Sequence, residues 1–459
     1  MSMYRADTIV ACATPAGRGA IAIVRISGSQ ALAVAARIFR TTSARSWVPW
    51  RMRLGTVMAS DGATPLDQAL GVFFPAPHSY TGEDTFEVHS HGSPVVVEEV
   101  VSSAIAAGAR AAERGEFTRR AVLNGKLDLL QAEAVADLID ARMAGAAQAA
   151  WQQLQGALSG QLASARSRLV AVLADLEARI DFTDDELPDE DFGRRAGVIA
   201  DVAGELTRLH DGYAAARRQR EGFRVVFTGR PNAGKSSLVN RLLGSGRMIV
   251  SEEPGTTRDA VEEAVDLGGV AFVFTDTAGI RDDAGPAETE AVARARDRVR
   301  DADLRVLVLD ASRIPDAEDD ALWQQVQGPG TVVVMNKADL GDRIPPDRLA
   351  ILRDGSASVV TTSARTGLGC DQLGKVLGEL ARRILVSEPA GISRVRHRLA
   401  LERTLQPLRR AQRLALSEDA CELAVLELRE ALGELASIGE ALGDEEVLDR
   451  IFSEFCIGK

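Results

Sequence analysis

The 459-residue chain is poor in cysteine and in aromatic side chains, and each shortage removes a class of function. Its four cysteines, Cys12, Cys370, Cys421 and Cys456, are scattered without metal-ligand spacing and suit a reducing cytosol. Aromatic residues make up only 4% of the chain, too few for the interleaved rings of a base-stacking platform. No apolar run approaches the roughly 18 residues that cross a bilayer. The N-terminus opens on strand-like Thr8-Ile9-Val10-Ala11 rather than a basic leader, so a soluble protein of the cytoplasm with no membrane partner is expected. A net charge of -12 argues against non-specific coating of nucleic acid, although a local basic face leaves an RNA partner open. An apolar content of 46% is enough to give a chain of this length two to four cored domains.

Residues 1–120 read as mixed α/β: strand-like runs over 21–26 and 69–74, an alternating strand over 85–89, and a helix following Pro94. From about Phe117 the period changes. Leu127, Leu130, Ala134 and Leu138, then Leu169, Val172, Leu176 and Ile180, recur at helical spacing, and long helices are expected. Seven acidic side chains and Pro188 over 181–191 read as a solvated connector rather than a metal site. A further helix carries Val202, Leu206 and Leu209 and ends near Gly222. A second helical stripe, Leu428, Leu432, Leu435, Ile438 and Leu442, lies beyond an α/β segment. Each helical segment lacks a partner for its apolar face, so one discontinuous helical domain is expected, with segments 121–217 and 377–459 and an α/β domain, 218–376, inserted between them.

That inserted segment carries three motifs in order. Residues 229–236, Gly-Arg-Pro-Asn-Ala-Gly-Lys-Ser, follow a hydrophobic strand and precede a helix. In such a loop the N–H groups of Asn232, Ala233 and Gly234 turn inward around phosphates, Lys235 neutralises the β and γ oxygens, and Ser236 reaches Mg2+, with Ser237 opening the helix. Asp276-Thr277-Ala278-Gly279 ends a second strand, where a carboxylate holds a Mg2+-bound water and a glycine N–H senses the γ-phosphate. Asn336-Lys337-Ala338-Asp339 ends a third strand. A carboxylate such as Asp339 accepts both donors on the N1–C2 edge of guanine, which adenine does not offer, and Ser363-Ala364 completes the base pocket. Residues 251–259 occupy the place of a first switch, with Thr257 the candidate for closing the Mg2+ shell. The residue after Gly279 is Ile280, which cannot orient water, so hydrolysis draws its base and its positive charge from elsewhere.

Taken with Ala13-Thr14-Pro15-Ala16-Gly17-Arg18-Gly19, Ser79-Tyr80-Thr81-Gly82-Glu83-Asp84, His89-Ser90-His91-Gly92, Gly115-Glu116-Phe117-Thr118, Asn124-Gly125-Lys126-Leu127-Asp128 and the terminal Cys456-Ile457-Gly458-Lys459, these strings closely resemble the MnmE (TrmE) family of tRNA modification GTPases. The resemblance covers the whole chain. It implies an N-terminal domain that binds tetrahydrofolate and dimerises, a helical domain made of two chain segments, and an inserted Ras-like P-loop GTPase domain. It further implies a homodimer that works in a heterotetrameric complex with the FAD-dependent MnmG (GidA) protein. Together they place an aminomethyl or carboxymethylaminomethyl group on C5 of the wobble uridine of certain tRNAs, using a 5-formyl or 5,10-methylene tetrahydrofolate.

By resemblance, Asn232, Ser251, Glu253 and Thr256 hold a K+ ion that replaces an arginine finger, and Glu288 orients the hydrolytic water, with Glu290 the other candidate. Arg25, Glu87, Lys126 and Lys459 match folate-contacting positions, and Cys456 is a candidate catalytic thiol whose bland reading is a buried anchor residue. His89 and His91 read as structural or hydrogen-bonding residues, since no third ligand accompanies them. Arginines 217, 218, 220 and 224 before the inserted domain, and 394, 396, 398, 409, 410 and 413 after it, suit either a phosphate-facing surface or a solvated helix face. A ribosome-assembly or translation GTPase and a nucleotide-regulated scaffold are the competing functions. The N-terminal strings and the terminal Cys-Ile-Gly-Lys oppose the first.

Overall fold

The computed structural model describes residues 7–41, 46–181, 192–245, 247–249, 263–275, 299–387, 391–416, 420–439, 445–453 and 455–459. The acidic stretch after Asp181, the first switch with Ser251, Glu253, Thr256 and Thr257, and the second with Asp276, Thr277, Ala278, Gly279, Glu288 and Glu290 lie outside the described residues. Two compact units emerge, one from residues 1–139, 150–199 and 410–459, the other from 140–149 and 200–409.

The first unit opens with a seven-stranded sheet of β1 (Ile9–Cys12), β2 (Gly19–Ser27), β3 (Phe39–Thr41), β4 (Arg53–Met58), β5 (Pro65–Phe74), β6 (Thr85–Gly92) and β7 (Arg110–Ala111). Its spatial order is β3-β4-β5-β6-β2-β1-β7, antiparallel except where β1 runs parallel to β7. Alternation sorts the faces. Val24, Ile26, Phe86 and Val88 form a core with the helices Ala31–Ile38 and Pro94–Ala106, while Arg25 and Glu87, register partners, stand on the other face.

The helical part of this unit begins at Leu129–Asp140, capped when the Gln131 N–H donates to Asp128 Oδ1 at 2.8 Å and the Asp128 N–H donates back to Gln131 Oε1 at 3.0 Å. The helix Ala157–Asp181 packs on Cys421–Gly439, burying Leu169, Val172, Leu176, Leu428 and Leu435. Arg429 joins Glu177 across this pair at 2.7 Å. Ile180 continues the sequence stripe yet is 42% exposed, so the apolar face outlasts its partner by one turn.

The second unit holds a sheet of β8 (Phe223–Thr228), β9 (Arg247–Ile249), β10 (Glu263–Asp266), β11 (Ala271–Thr275), β12 (Leu304–Asp310), β13 (Gly328–Asn336) and β14 (Ser356–Thr361), in the order β14-β13-β12-β8-β11-β10-β9. The five strands from β14 to β11 are parallel, and β10 and β9 add an antiparallel edge. Both faces are covered, which explains the unbroken apolar runs. Val306, Val308, Val332 and Val334 face the helices Lys235–Ser245 and Cys370–Ser387, whereas Leu307, Leu309 and Val333 face Trp323 and Val326 of Ala317–Val326.

The helix expected to run to Gly222 is instead two, Phe192–Asp211 and Tyr213–Glu221. The break follows from a diverted carbonyl, because Leu209 O accepts from Ile392 N at 3.3 Å. The boundaries expected after 120, 217 and 376 all fall inside helices, Glu116–Leu123, Tyr213–Glu221 and Cys370–Ser387. Periodicity records which face a segment buries and gives no mark of where a helix ends.

Candidate functional site

The parallel strands of the second unit deliver their site residues to one edge, outside the carboxyl ends. β8 leads into the phosphate-loop motif, β12 into Asp310, β13 into Asn336 and β14 into Ser363. Asn336 is 1% exposed, and its amide is spent on the protein itself. Its Nδ2 donates to Ala233 O at 2.9 Å, while its Oδ1 accepts from Ala364 N at 3.0 Å and from Thr362 Oγ1 at 3.2 Å. One carboxamide thus fastens the phosphate loop, the Asn336 turn and the Ser363 loop together. The loop approaches so closely that Gly234, at φ +97°, has no room for a Cβ beside Asn336 Nδ2.

Around this knot the polar side chains are preset. Ser363 Oγ donates to Asp339 Oδ1 at 2.6 Å and the Arg365 guanidinium meets Oδ2 at 2.7 Å. The Ser363 hydrogen bond, helped by the Arg365 charge against burial, holds the Asp339 carboxyl below its ordinary value, so it is an anion at neutral pH. Lys337 pairs with Asp310 at 2.7 Å. Lys235 Nζ donates to Gly229 O and Arg230 O at 2.8 and 2.9 Å, curling over its own loop at the point where phosphate oxygens are the better partner. Asn232, with φ +62°, Ser236 and Ser237 are exposed at the crown of the loop.

A second cluster forms in the first unit, where the chain's last residues return to the N-terminal sheet. Phe452 and Phe455 are buried beside Val122 and Leu129. The tail then runs as an antiparallel bridge between Ile457 and Arg114, with Gly115 N donating to Cys456 O and Phe117 N to Lys459 O at 3.4 and 3.2 Å. Gly458, at φ +98°, sits directly on the Cys12 carbonyl. Arg25 Nε donates to Glu87 Oε1 at 2.8 Å, its guanidinium lies 5.3 Å from the Tyr80 ring centre and 5.7 Å from that of Phe117, and His89 contacts Glu87 Oε2 at 3.2 Å. Burial alone raises the Glu87 carboxyl, yet His89 and Arg25 outweigh it and hold it low. Burial and the Arg25 charge push Lys459 down, partly offset by Glu87 and Cys456. Two cations therefore face one carboxylate, a surplus that a carboxylate-bearing ligand relieves.

A model of the MnmE helical domain matches residues 129–456, and one of the GTP-binding protein TrmE N-terminus matches residues 8–126. The chain is 41% identical over 470 residues to the tRNA modification GTPase MnmE of Heliobacterium modesticaldum, covering 99% of both chains. It is 44% identical over 458 residues to that of Symbiobacterium thermophilum, again covering 99% of each, and 42% identical to that of Methylobacterium radiotolerans over 100% of each. The chain belongs to the MnmE family. Like the MnmE enzymes it resembles, it is a GTP hydrolase.

Among the candidate positions of this MnmE-family chain, the structure brings Asn232 to Ser237, Asn336, Lys337, Asp339, Ser363 and Ala364 to one edge, and Arg25, Glu87 and Lys459 into one cluster. Lys126 is exposed beside Gly82 and makes no ion pair with that cluster. Cys456 is exposed rather than buried. His91 is bonded to Asp67 at 2.8 Å and His89 to Glu87, and no group of three or more metal-ligating side chains occurs among the described residues. Arg217 and Arg218 are neither phosphate-facing nor solvated, because both hold Asp303, whose side chain is 3% exposed. Sequence reasoning missed Tyr80 and Phe117 as a stacking frame, although both stand in the quoted strings. It also missed Arg365, which directly follows Ser363-Ala364.

Glu83 and Glu116, from two of the other strings, join a partly buried ionic lattice. Arg120, 3% exposed, donates to Asp7 Oδ1 at 2.6 Å, Glu116 Oε1 at 2.9 Å and Glu83 at 3.2 Å, and Arg110 bridges Asp7 and Glu116. Burial opposes ionisation of Asp7 and Glu116, but the two arginines prevail and both carboxyls sit below their ordinary values of 3.8 and 4.5. Depressed folded values mean stability that is complete above the unfolded values and lost as pH falls through the folded ones. Thermal unfolding followed from pH 7 into the acid range is expected to show that loss, and Glu116→Gln is expected to lower stability at pH 7 while flattening the acid limb. An equally steep acid limb in the variant contradicts the assignment.

Proposed function

We propose that this MnmE-family chain is a potassium-activated GTPase that works in the cytoplasm as a homodimer, in a heterotetrameric complex with the FAD-dependent MnmG (GidA) protein. Its action adds an aminomethyl or carboxymethylaminomethyl group to C5 of the wobble uridine of certain tRNAs. The observation that carries this reading is the pairing within one chain of a guanine-type pocket knotted by Asn336 with a cationic cluster, Arg25, Glu87 and Lys459, at a docked C-terminal tail.

In the inserted Ras-like P-loop domain, the N–H groups of the loop and Lys235 hold the phosphates, and Asp339 with Ser363 and Ala364 holds guanine. Oxygen donors suit hard cations, and Ser236 offers an exposed hydroxyl with no hydrogen-bond partner among the described residues. Ser236 and Thr257 would hold Mg2+, and Asn232, Ser251, Glu253 and Thr256 would hold K+. Such cations, when bound, neutralise the charge that grows at the β–γ bridge. Asp276 and Gly279 flank the γ-phosphate, and Glu288, with Glu290 as the other candidate, orients the attacking water.

In the N-terminal domain, Arg25 and Lys459, joined by Lys126, suit the carboxylates of a 5-formyl or 5,10-methylene tetrahydrofolate, which supplies the one-carbon unit. Glu87 suits its amino-pyrimidine edge, and the half-buried Tyr80 ring its flat body. Cys456 belongs to the modification half. Leu54 and Leu70, exposed register partners on this sheet, support dimerisation through the same domain.

Comparing wobble-uridine nucleosides in cells with and without the gene tests the reading, and an unchanged profile overturns it. Asn232→Ala is expected to keep GTP binding but to lower the K+-stimulated turnover on the order of 10²-fold, the scale of one transition-state charge contact. Undiminished stimulation removes Asn232 from the ion site.

A further inference from the structure

Three non-glycine residues among those described have a positive φ, Trp50, Asn232 and Lys337, and two of them stand in nucleotide strings. Asparagine visits that region readily, whereas lysine does so seldom. Lys337, at φ +63° and ψ 31°, separates Asn336 from the short 3-10 turn Ala338–Leu340 that carries Asp339. A strained backbone of this kind persists only where its surroundings hold it.

What holds Lys337 is a carboxylate from the neighbouring strand. Asp310 ends β12 and is the register partner of Asn336 at the end of β13. Its Oδ2 accepts from Lys337 Nζ at 2.7 Å, while its Oδ1 accepts from the Ser312 N–H and hydroxyl at 3.0 and 2.6 Å. Three donors thus converge on one carboxylate whose side chain is 13% exposed. The turn that presents it is itself bonded on both sides, Ala311 N donating to Asn336 O at 2.7 Å and Ala311 O accepting from Arg343 N at 2.8 Å. On the far side of Lys337, Leu340 N donates to Lys337 O at 2.9 Å and Ala338 N to Thr362 O at 3.1 Å, which turns Asp339 back toward Ser363.

We propose that Asp310 is a positioning residue for guanine recognition: by holding Lys337 in its left-handed conformation, it fixes the direction in which the Asp339 carboxylate points. This rests on the reading that Asp339 binds the N1–C2 edge of guanine. Asp310 itself acts on the base through Lys337 alone.

The test is competition binding to the full chain of GDP against inosine diphosphate, which lacks the 2-amino group, in the parent, Asp310→Asn, Lys337→Gln and the double variant. A carboxamide has one acceptor atom for the three donors that meet Asp310, so Asp310→Asn releases Lys337. GDP, which meets Asp339 through two donors, should lose roughly tenfold in affinity, and inosine diphosphate, which meets it through one, roughly threefold, the same energy halved. Lys337→Gln should contract the preference for GDP to the same extent, and adding Asp310→Asn to it should change neither affinity further. A merely structural role weakens both nucleotides equally, so an unchanged preference in Asp310→Asn overturns the proposal. An unchanged preference in Lys337→Gln does the same even where Asp310→Asn does not fold, and so does an Asp310→Asn effect that survives undiminished in the double variant. A parent chain that binds the two nucleotides equally instead removes the base reading of Asp339.

Discussion

Asp339→Asn is expected to lower affinity for GTP and GDP by roughly two to four orders of magnitude and to raise affinity for xanthine nucleotides. The carboxylate is held ionised by Ser363 and Arg365, and as an acceptor it meets both donors of the guanine N1–C2 edge. A carboxamide accepts one and turns its NH2 against the other. One contact to a charged group is replaced by a neutral one and the other by two opposed donors, and at about 1.5–3 kcal/mol for each charged contact forgone that range is reached. Xanthine carries a carbonyl where guanine has its amino group, so the same NH2 finds an acceptor there. Competition binding with GDP and xanthosine diphosphate reads both changes, and an unaltered preference for GDP means that Asp339 does not read the base. Loss of folding is not the expected cause, because the amide oxygen still accepts from Ser363 and the other partner, Arg365, is largely exposed.

The second large effect is expected at the opposite end of the chain. Gly458→Ala places a methyl group where the Cys12 carbonyl stands and imposes a side chain on a backbone at φ +98°. The strain alone is about 1–3 kcal/mol, and the collision is with main chain that cannot rotate away. The tail should leave its groove, withdrawing Lys459 from Arg25 and Glu87 and freeing the N–H groups of Gly115 and Phe117. tRNA modification should then fall at least tenfold, with tetrahydrofolate binding weakened in parallel, while GTP hydrolysis, whose pocket lies in the other unit, stays near its parent rate. Calorimetry with the folate and a phosphate-release assay separate the two. Retained folate affinity would show that the tail has no part in that site.

Much of this was legible in the residues. β8, β11 and β13 appear as apolar runs ending in the three nucleotide strings, because a parallel strand buried on both faces has no polar alternation to blur it. The order of those strings also announces a shared edge. What the chain conceals is who satisfies whom. Nothing local shows that Asn336 spends its amide on Ala233, 103 residues away, or that Asp303 collects Arg217 and Arg218. Buried polar groups choose partners by proximity in the fold, and arginines that look like a nucleic-acid face turn out to be fasteners. The break at Gly212 has the same origin, since the carbonyl that leaves the helix is claimed by Ile392 from far along the chain.

The carboxamide of Asn336 has a kinetic consequence. Since the Ala233 carbonyl and the Ala364 amide hang from the same side chain, the clamp on the phosphates and the clamp on the purine have no independent hinge. Release of the base and release of the phosphates are therefore expected to be coupled. Exchange becomes a single escape, and whatever loosens one end of the ligand shortens the residence of the whole.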